Sequence, residues 1–119
     1  AEALRKKTGC IISLCDFSDH DRLRSELSQS RILTNATSLG MAPSEDACPI
    51  PDASFLPDGL IVSDIIYNPK ETRLLSMARA KGLPAFNGSY MLLYQGAEAF
   101  RLWTGKEMPV ALIKNMFFS

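Results

Sequence analysis

Apolar and polar positions along the chain divide it into strands and helices that alternate. Short apolar runs bounded by turn residues are typical of buried strands, whereas apolar residues three or four positions apart predict amphipathic helices. The run LIVSDIIY is apolar on both faces, as expected of a central parallel strand. The predicted strands are Cys10–Leu14, Ile32–Ala36, Leu60–Tyr67 and Leu83–Phe86.

Capping residues indicate where the helices begin and end. Ser, Asp and Asn are preferred before the first turn, Pro at the first helical position and Gly after the last turn. The last two helices are predicted over Asn87–Trp103 and from about Pro109 onwards. The other predicted caps and stops are Gly9, then Ser18 or Asp19, then Asn68 followed by Pro69 and Glu71, and finally Gly82.

This order of elements predicts a single α/β domain. Strands that alternate with helices form a parallel, doubly wound sheet, and such a sheet binds its ligands at the carboxyl ends of the strands. The chain has 119 residues, of which 46% are hydrophobic, so it is long enough and apolar enough to form one packed core.

Composition excludes several classes of function. Lys and Arg together number 13, as do Asp and Glu, and no basic stripe occurs, so we do not expect nucleic acid as a partner. No apolar run approaches the ~18 residues of a membrane span, and the first ten residues do not resemble a signal peptide, so we expect a cytoplasmic protein. The three cysteines lack Cys-x-x-Cys spacing and are expected to be reduced structural thiols. The single histidine excludes a multi-histidine metal site.

Polar residues stand where predicted strands end. The turn NATSLGM, Asn35 to Met41, would bring backbone N–H groups and hydroxyls to the rim of the sheet, where they suit ribose or phosphate. The same residue types also form ordinary turns. Tyr67 could donate to a ligand oxygen or hold a structural position. Asp64 lies within an apolar strand, and because a buried carboxylate needs partners, we expect it to have a structural hydrogen-bonding role.

The helix that starts near Asn87 carries a second group of candidates. Gly88 would allow a ligand to approach the backbone closely. Met91 and Gln95 are four residues apart, so they share one stripe of the helix. Taken singly, Met91 also fits a core position, and Gln95 also fits a hydrogen-bonded helix surface. A broad core face is predicted from Leu92, Leu93, Gly96, Phe100 and Trp103.

Four segments together resemble a known family. NATSLGM, DIIYNPKETRLL, ARAKG and NGSYMLLYQGAEAFRLWTGKEMP match, in order and spacing, the carboxyl-terminal half of shikimate dehydrogenases. The last segment is similar to the quinate/shikimate dehydrogenase branch. Each motif is weak alone, but four in the right order are specific. The resemblance covers the chain and identifies residues 1–119 as a partial NAD(P)-binding domain, including carboxyl-terminal helices from about residue 89.

The resemblance implies an activity and a role for each candidate. The family transfers a hydride between NADP or NAD and the pair 3-dehydroshikimate and shikimate, or quinate in the related branch. No catalytic residue and no metal ligand is implied within residues 1–119. By match with the family's motifs, the cofactor-binding residues are Asn35, Ala36, Thr37, Ser38, Ile65, Gly88 and Met91, and the substrate-binding residues are Tyr67 and Gln95.

The resemblance also implies parts that this sequence does not contain. The family has an amino-terminal substrate domain with a catalytic Lys–Asp pair, followed by two strands and a glycine-rich turn, whereas no Gly-x-Gly-x-x-Gly motif occurs here. We therefore expect a piece of a longer protein that is inactive alone and whose partner is the missing substrate domain. We also expect a partial Rossmann-like sheet without its first two strands. Its bare edge could drive self-association.

Two alternatives stay open. A non-catalytic nucleotide-binding or assembly module derived from the same fold would keep the sheet without turnover. Another dehydrogenase with the same sheet, such as a tetrahydrofolate or glutamyl-tRNA relative, is disfavoured by the resemblance of the segment from Gln95 to Pro109. The choices between NAD and NADP, and between shikimate and quinate, stay open as well.

Overall fold

The protein folds into a three-stranded parallel sheet with five helices, as seen in a computed structural model that describes residues 1–118. The strand order is β1-β2-β3, with Ile32 opposite Ile61 and Val62 opposite Ala85. The predicted α/β class is confirmed, and β2 is the central strand as expected. The elements are α1 (Glu2–Thr8), α2 (His20–Ser28), β1 (Ile32–Asn35), a 3-10 helix (Ala53–Phe55), β2 (Ile61–Asp64), α3 (Arg73–Ala80), β3 (Ala85–Phe86), α4 (Ser89–Thr104) and α5 (Val110–Phe117).

The hydrophobic core lies on one side of this sheet. Leu60 and Val62 are buried around β2, whereas Ile61 and Ser63, which point the opposite way, are only partly buried. The sequence predicts a strand that is buried on both faces. In the structure alternate residues are buried, so only one face of β2 lies in the core. The core is completed by side chains from α2, the 3-10 region, α3 and the loops beside them, namely Leu23, Leu27, Ile50, Phe55, Leu56, Leu74, Leu75, Ala78 and Leu83.

The cysteines are free thiols. Cys15 and Cys48 pack against the core, and Cys10 is exposed. Burial raises the pKa of the Cys48 thiol, which keeps the thiol protonated and unreactive near neutral pH.

The predicted first strand, Cys10–Leu14, is wrong. The segment adopts no regular structure, and Ile11 and Leu14 are exposed. A strand needs a hydrogen-bonding neighbour, and within residues 1–118 only β1, β2 and β3 form a sheet. An apolar, β-branched run is therefore insufficient here, because no neighbouring backbone satisfies its N–H and C=O groups.

The observed caps confirm two predicted helix boundaries and show that a third is wrong. Asp19 caps α2 by accepting a hydrogen bond from the Arg22 N–H at 3.1 Å, and α1 stops at Gly9 with φ 69°. The predicted start of α3 at Asn68 is wrong. Thr72 is the cap instead, because its hydroxyl accepts from the Leu75 N–H at 3.4 Å and residues 68–71 form bends before it.

The two carboxyl-terminal helices are confirmed, but they are more exposed than predicted. Of the core face expected on α4, only Leu93 is buried, and Phe100 and Trp103 are exposed. The helix α5 contains no buried residue. No helix within residues 1–118 has both the length and the apolar character needed to cross a bilayer.

A close backbone approach joins the start of α4 to the end of β2. The Gly88 N–H donates to the Ile66 carbonyl at 2.9 Å, and the Asn87 side-chain amide donates to the Lys70 carbonyl at 2.8 Å. A Cβ atom added to Gly88 would lie 1.9 Å from the Ile65 carbonyl oxygen. Only glycine fits this position without a backbone shift.

We expect Gly88→Ala to lower the free energy of unfolding by roughly 2–3 kcal/mol, since relief of the clash requires backbone movement. Gly96→Ala on the same helix is the matched control. Its added Cβ meets nothing within 4 Å, and Ala is favoured over Gly in a helix interior by about 1 kcal/mol. Urea unfolding midpoints measure both changes. Equal effects of the two substitutions would contradict this account of Gly88.

Candidate functional site

Loops at the carboxyl ends of β1 and β2 lie beside the start of α4. The first loop is folded by Asn35, whose Oδ1 accepts from the Thr37 N–H at 3.1 Å and the Thr37 hydroxyl at 2.7 Å. The Asn35 Nδ2 donates to the Leu39 carbonyl at 3.0 Å. The Thr37 hydroxyl in turn accepts from the Leu39 N–H at 3.1 Å. These bonds fix a tight polar turn that leaves Ala36, Thr37 and Ser38 exposed.

Asp64 at the end of β2 connects this turn to its surroundings. The side chain is 1% exposed, and its two oxygens each lie 3.2 Å from the Asn35 Nδ2. The Ile66 N–H donates to Asp64 at 3.0 Å, and the Thr72 hydroxyl donates at 2.8 Å. The structural hydrogen-bonding role predicted for Asp64 is confirmed.

A cavity of about 670 Å³ opens at these strand ends. Its lining mixes polar residues with apolar and aromatic side chains. The predicted site residues that line it are Ala36, Thr37, Ser38, Ile65, Tyr67 and Met91.

The same cavity is also lined by Met41, Ala42, Ile66 and Asn68, which sequence reasoning missed. Met41 ends the NATSLGM turn, and Asn68 follows Tyr67 directly. Their closeness in sequence to predicted site residues is the one signal that could have identified them. The sequence predicts Asn68 as a helix cap, but the structure gives that role to Thr72.

Three predicted site residues do not line this cavity. Asn35 is buried, with its amide engaged in the bonds described above. Gln95 is exposed, one turn beyond Met91, and lines neither this cavity nor the adjoining cavity of about 390 Å³. Gly88 lines this adjoining cavity, whose wall Met91 and Ile65 share with the first. The space left by the missing Gly88 side chain is filled by the Ile65 carbonyl, so it is not room for a ligand.

Tyr67 stands where the cavity meets a further hollow of about 480 Å³ between α3, α4 and α5. Its side chain is 47% exposed, and its hydroxyl has no hydrogen-bond partner among residues 1–118. The phenol is therefore available to a ligand. Lys70, Glu71 and Arg79 line the hollow as well, and Glu71 pairs with Arg79 at 2.7 Å.

A parallel sheet whose strand ends enclose a half-polar, half-apolar cavity is typical of α/β nucleotide-binding domains, and this chain has that architecture. Residues 88–115 match the family model described as the Shikimate 5'-dehydrogenase C-terminal domain. The chain belongs to the shikimate dehydrogenase family and corresponds to a carboxyl-terminal part with a partial Rossmann-like fold.

Named relatives and solved structures match nearly the whole of this chain and about 40% of their own length. The chain is 48% identical to a shikimate dehydrogenase (NADP(+)) from Listeria monocytogenes, over 98% of this chain and 40% of that protein. A crystal structure of shikimate 5-dehydrogenase from Listeria monocytogenes in complex with shikimate and NAD matches with a TM-score of 0.89, 48% identity and the same coverage. Quinate dehydrogenase from Corynebacterium glutamicum in complex with NAD matches with a TM-score of 0.80 and 30% identity, over 99% of this chain and 40% of that one. The chain thus spans well under half the length of these relatives.

We expect Asn35→Asp to lower the free energy of unfolding by about 3 kcal/mol at pH 7. The substitution replaces the amide donor with a second carboxylate, 3.2 Å from the oxygens of Asp64, in a buried position. Asn68→Asp makes the same chemical change at an exposed position, so its effect should stay within ~0.5 kcal/mol. Urea unfolding at pH 7 compares the two variants. A smaller loss for Asn35→Asp than for Asn68→Asp would refute the network described here.

Proposed function

We propose that this chain is the cofactor-domain part of an NAD(P)-dependent shikimate or quinate/shikimate dehydrogenase. The reaction is hydride transfer between 3-dehydroshikimate and shikimate. The observation that carries the proposal is the convergence of Thr37, Ser38, Ile65, Tyr67 and Met91 on one cavity, in a chain 48% identical to a shikimate dehydrogenase bound to shikimate and NAD.

The lining of the cavity suits the nicotinamide end of NADP or NAD. Ile65 and Met91 offer apolar surfaces against which a flat ring can pack, and Ser38 and the Thr37 segment offer polar groups to a ribose. When bound, the cofactor supplies or accepts the hydride, and this chain holds the ring in position. In this proposal Asn35 and Gly88 act indirectly, because Asn35 folds the turn and Gly88 lets α4 approach Ile65.

The substrate side of the proposed site is formed by Tyr67 and Gln95. The phenol of Tyr67 borders the cavity, and the carboxamide of Gln95 lies on the exposed surface of α4. Both can donate hydrogen bonds to hydroxyl or carboxylate oxygens of a small polyhydroxy acid. Proton transfer is assigned to a Lys–Asp pair of an amino-terminal substrate domain, which lies outside residues 1–119.

A chimera tests the proposal directly. This chain would replace the matching carboxyl-terminal part of the Listeria monocytogenes shikimate dehydrogenase. We expect the chimera to reduce NADP or NAD with shikimate, and the 119-residue chain alone to show no turnover above background. Absorbance of the reduced nicotinamide measures both, with quinate as a second substrate.

The outcomes of this experiment separate the alternatives. An inactive but folded chimera would overturn the proposed function. Micromolar binding of NADP or NAD by that inactive chimera, measured by titration calorimetry, would instead favour a non-catalytic nucleotide-binding or assembly module. Turnover by the isolated chain would contradict the assignment of proton transfer to a separate domain.

We expect Tyr67→Phe in the chimera to lower kcat/KM for shikimate about 10-fold, which is the effect of losing one net hydrogen bond. The KM for the nucleotide should change little, because the aromatic ring stays in place. Tyr94→Phe is the control, since Tyr94 is 59% exposed on α4 and lines none of the three cavities described above. Steady-state kinetics with each substrate varied would distinguish the two. An unchanged kcat/KM for Tyr67→Phe would remove Tyr67 from the site.

Two further features belong to the proposal. A cytoplasmic location is supported by the three free thiols, since such thiols persist in reducing compartments. Self-association through the sheet is supported by β1, whose outer edge has no paired strand among residues 1–118, with Ile32 exposed on it.

A further inference from the structure

A single buried carboxylate joins three segments that surround the proposed cofactor cavity. Asp64 accepts from Asn35 at the end of β1, from the Ile66 N–H in the loop after β2 and from the Thr72 hydroxyl at the start of α3. Asn35 and Thr72 are both buried, and neither lines the 670 Å³ cavity. The network therefore lies behind the cavity wall.

Thr72 contacts the first loop in a second way. Gly40, in that loop, has φ +100°, and a Cβ added to it would lie 3.3 Å from the Thr72 Cβ and 3.4 Å from the Thr72 methyl carbon. The loop therefore packs directly on the threonine side chain. Thr72 holds the loop by its methyl group and holds Asp64 by its hydroxyl.

The orientation of the Asn35 amide depends on the same carboxylate. Both oxygens of Asp64 accept from the Asn35 Nδ2, so a flipped amide would put its oxygen against a carboxylate. The observed orientation leaves Oδ1 to accept both bonds from Thr37. A displaced Asp64 would thus release the segment that presents Thr37 and Ser38 to the cavity.

We propose that Thr72 is a positioning residue for the cofactor: through Asp64 it holds the Ala36–Ser38 turn and the Ile65–Tyr67 segment at their proper separation. This inference rests on the proposed function, because the ligand it positions is the nicotinamide nucleotide. Thr72 touches neither nucleotide nor substrate. Its effect on the nucleotide reaches the cavity through the hydroxyl bond to Asp64, and the methyl contact with Gly40 contributes packing alone.

Two substitutions at Thr72 separate its hydroxyl from its methyl group. Thr72→Val keeps the shape and the contact with Gly40 but removes the donor to Asp64. Thr72→Ser keeps the donor and removes the methyl group. We expect Thr72→Val to raise the nucleotide KM of the chimera about 10-fold, a size of loss that small displacements of binding groups can cause. Thr72→Ser should restore the nucleotide KM to within about 3-fold of the unsubstituted value.

The separation of KM from kcat distinguishes positioning from stability. Thr72 also caps α3, so both variants are assayed well below their unfolding temperatures. A purely structural role would reduce the active fraction and the apparent kcat, while the nucleotide KM stayed unchanged. An unchanged KM in Thr72→Val, or an equally raised KM in Thr72→Ser, would overturn the inference.

A second variant covers a failure of Thr72→Val to fold. Asp64→Asn is isosteric, and its carbonyl oxygen can keep the bonds from the Ile66 N–H and the Asn35 Nδ2. Its NH2 group replaces the oxygen that accepts from Thr72 and faces the Asn35 Nδ2 as a second donor, so the network is weakened. We expect this variant to fold and to raise the nucleotide KM several-fold, and an unchanged KM would again overturn the inference. An inactive unsubstituted chimera would overturn the proposed function itself, so the two failures are distinguishable.

Discussion

The structure depends on the burial of Asp64 at the end of the central strand. An ionised carboxylate removed from water costs roughly several kcal/mol, and hydrogen bonds must offset that cost. The donors come from Asn35, which is 29 residues earlier in the chain, and from Thr72, which is 8 residues later. The carboxyl group of Asp64 therefore brings together the loop after β1, the end of β2 and the start of α3. Every buried side-chain N and O atom among residues 1–118 has a hydrogen-bond partner, so the network stabilises a single arrangement of these loops.

Local chemistry in the sequence predicted the elements whose partners lie within the described chain. The strands around Ile32, Val62 and Ala85 pair with one another, and their apolar runs were correctly interpreted. The run Cys10–Leu14 is also apolar but has no neighbouring strand, and it is not a strand. The composition of a segment indicates how readily it can form a strand. Whether it does so depends on a neighbouring strand supplied by the tertiary structure.

The boundary of α3 shows a similar competition between local patterns. Asn68, Pro69 and Glu71 form a good capping sequence, yet the helix begins after Thr72. The hydroxyl of Thr72 both caps the helix and donates to Asp64, 8 residues before it in the chain. Of the two acceptable caps, the helix uses the later one, which also bonds to a buried carboxyl group. Such a bond cannot be deduced from the capping pattern, although Asp64 was recognised as needing partners.

The candidate site was predicted better as a location than as a set of contacts. Sequence reasoning placed the turn after β1, the end of β2 and the start of α4 together, and six of the named residues line one cavity there. The prediction that Gly88 leaves room for a ligand is wrong. A missing side chain indicates that some group approaches the backbone closely, but it does not identify that group. Here that group is the backbone of Ile65. The glycine draws α4 against the strand end, and this contact places Met91 on the wall shared by two cavities. Gly88 therefore shapes the proposed nicotinamide site by fixing the position of the helix. Gln95, one turn beyond Met91, lies on the exposed surface of the same helix.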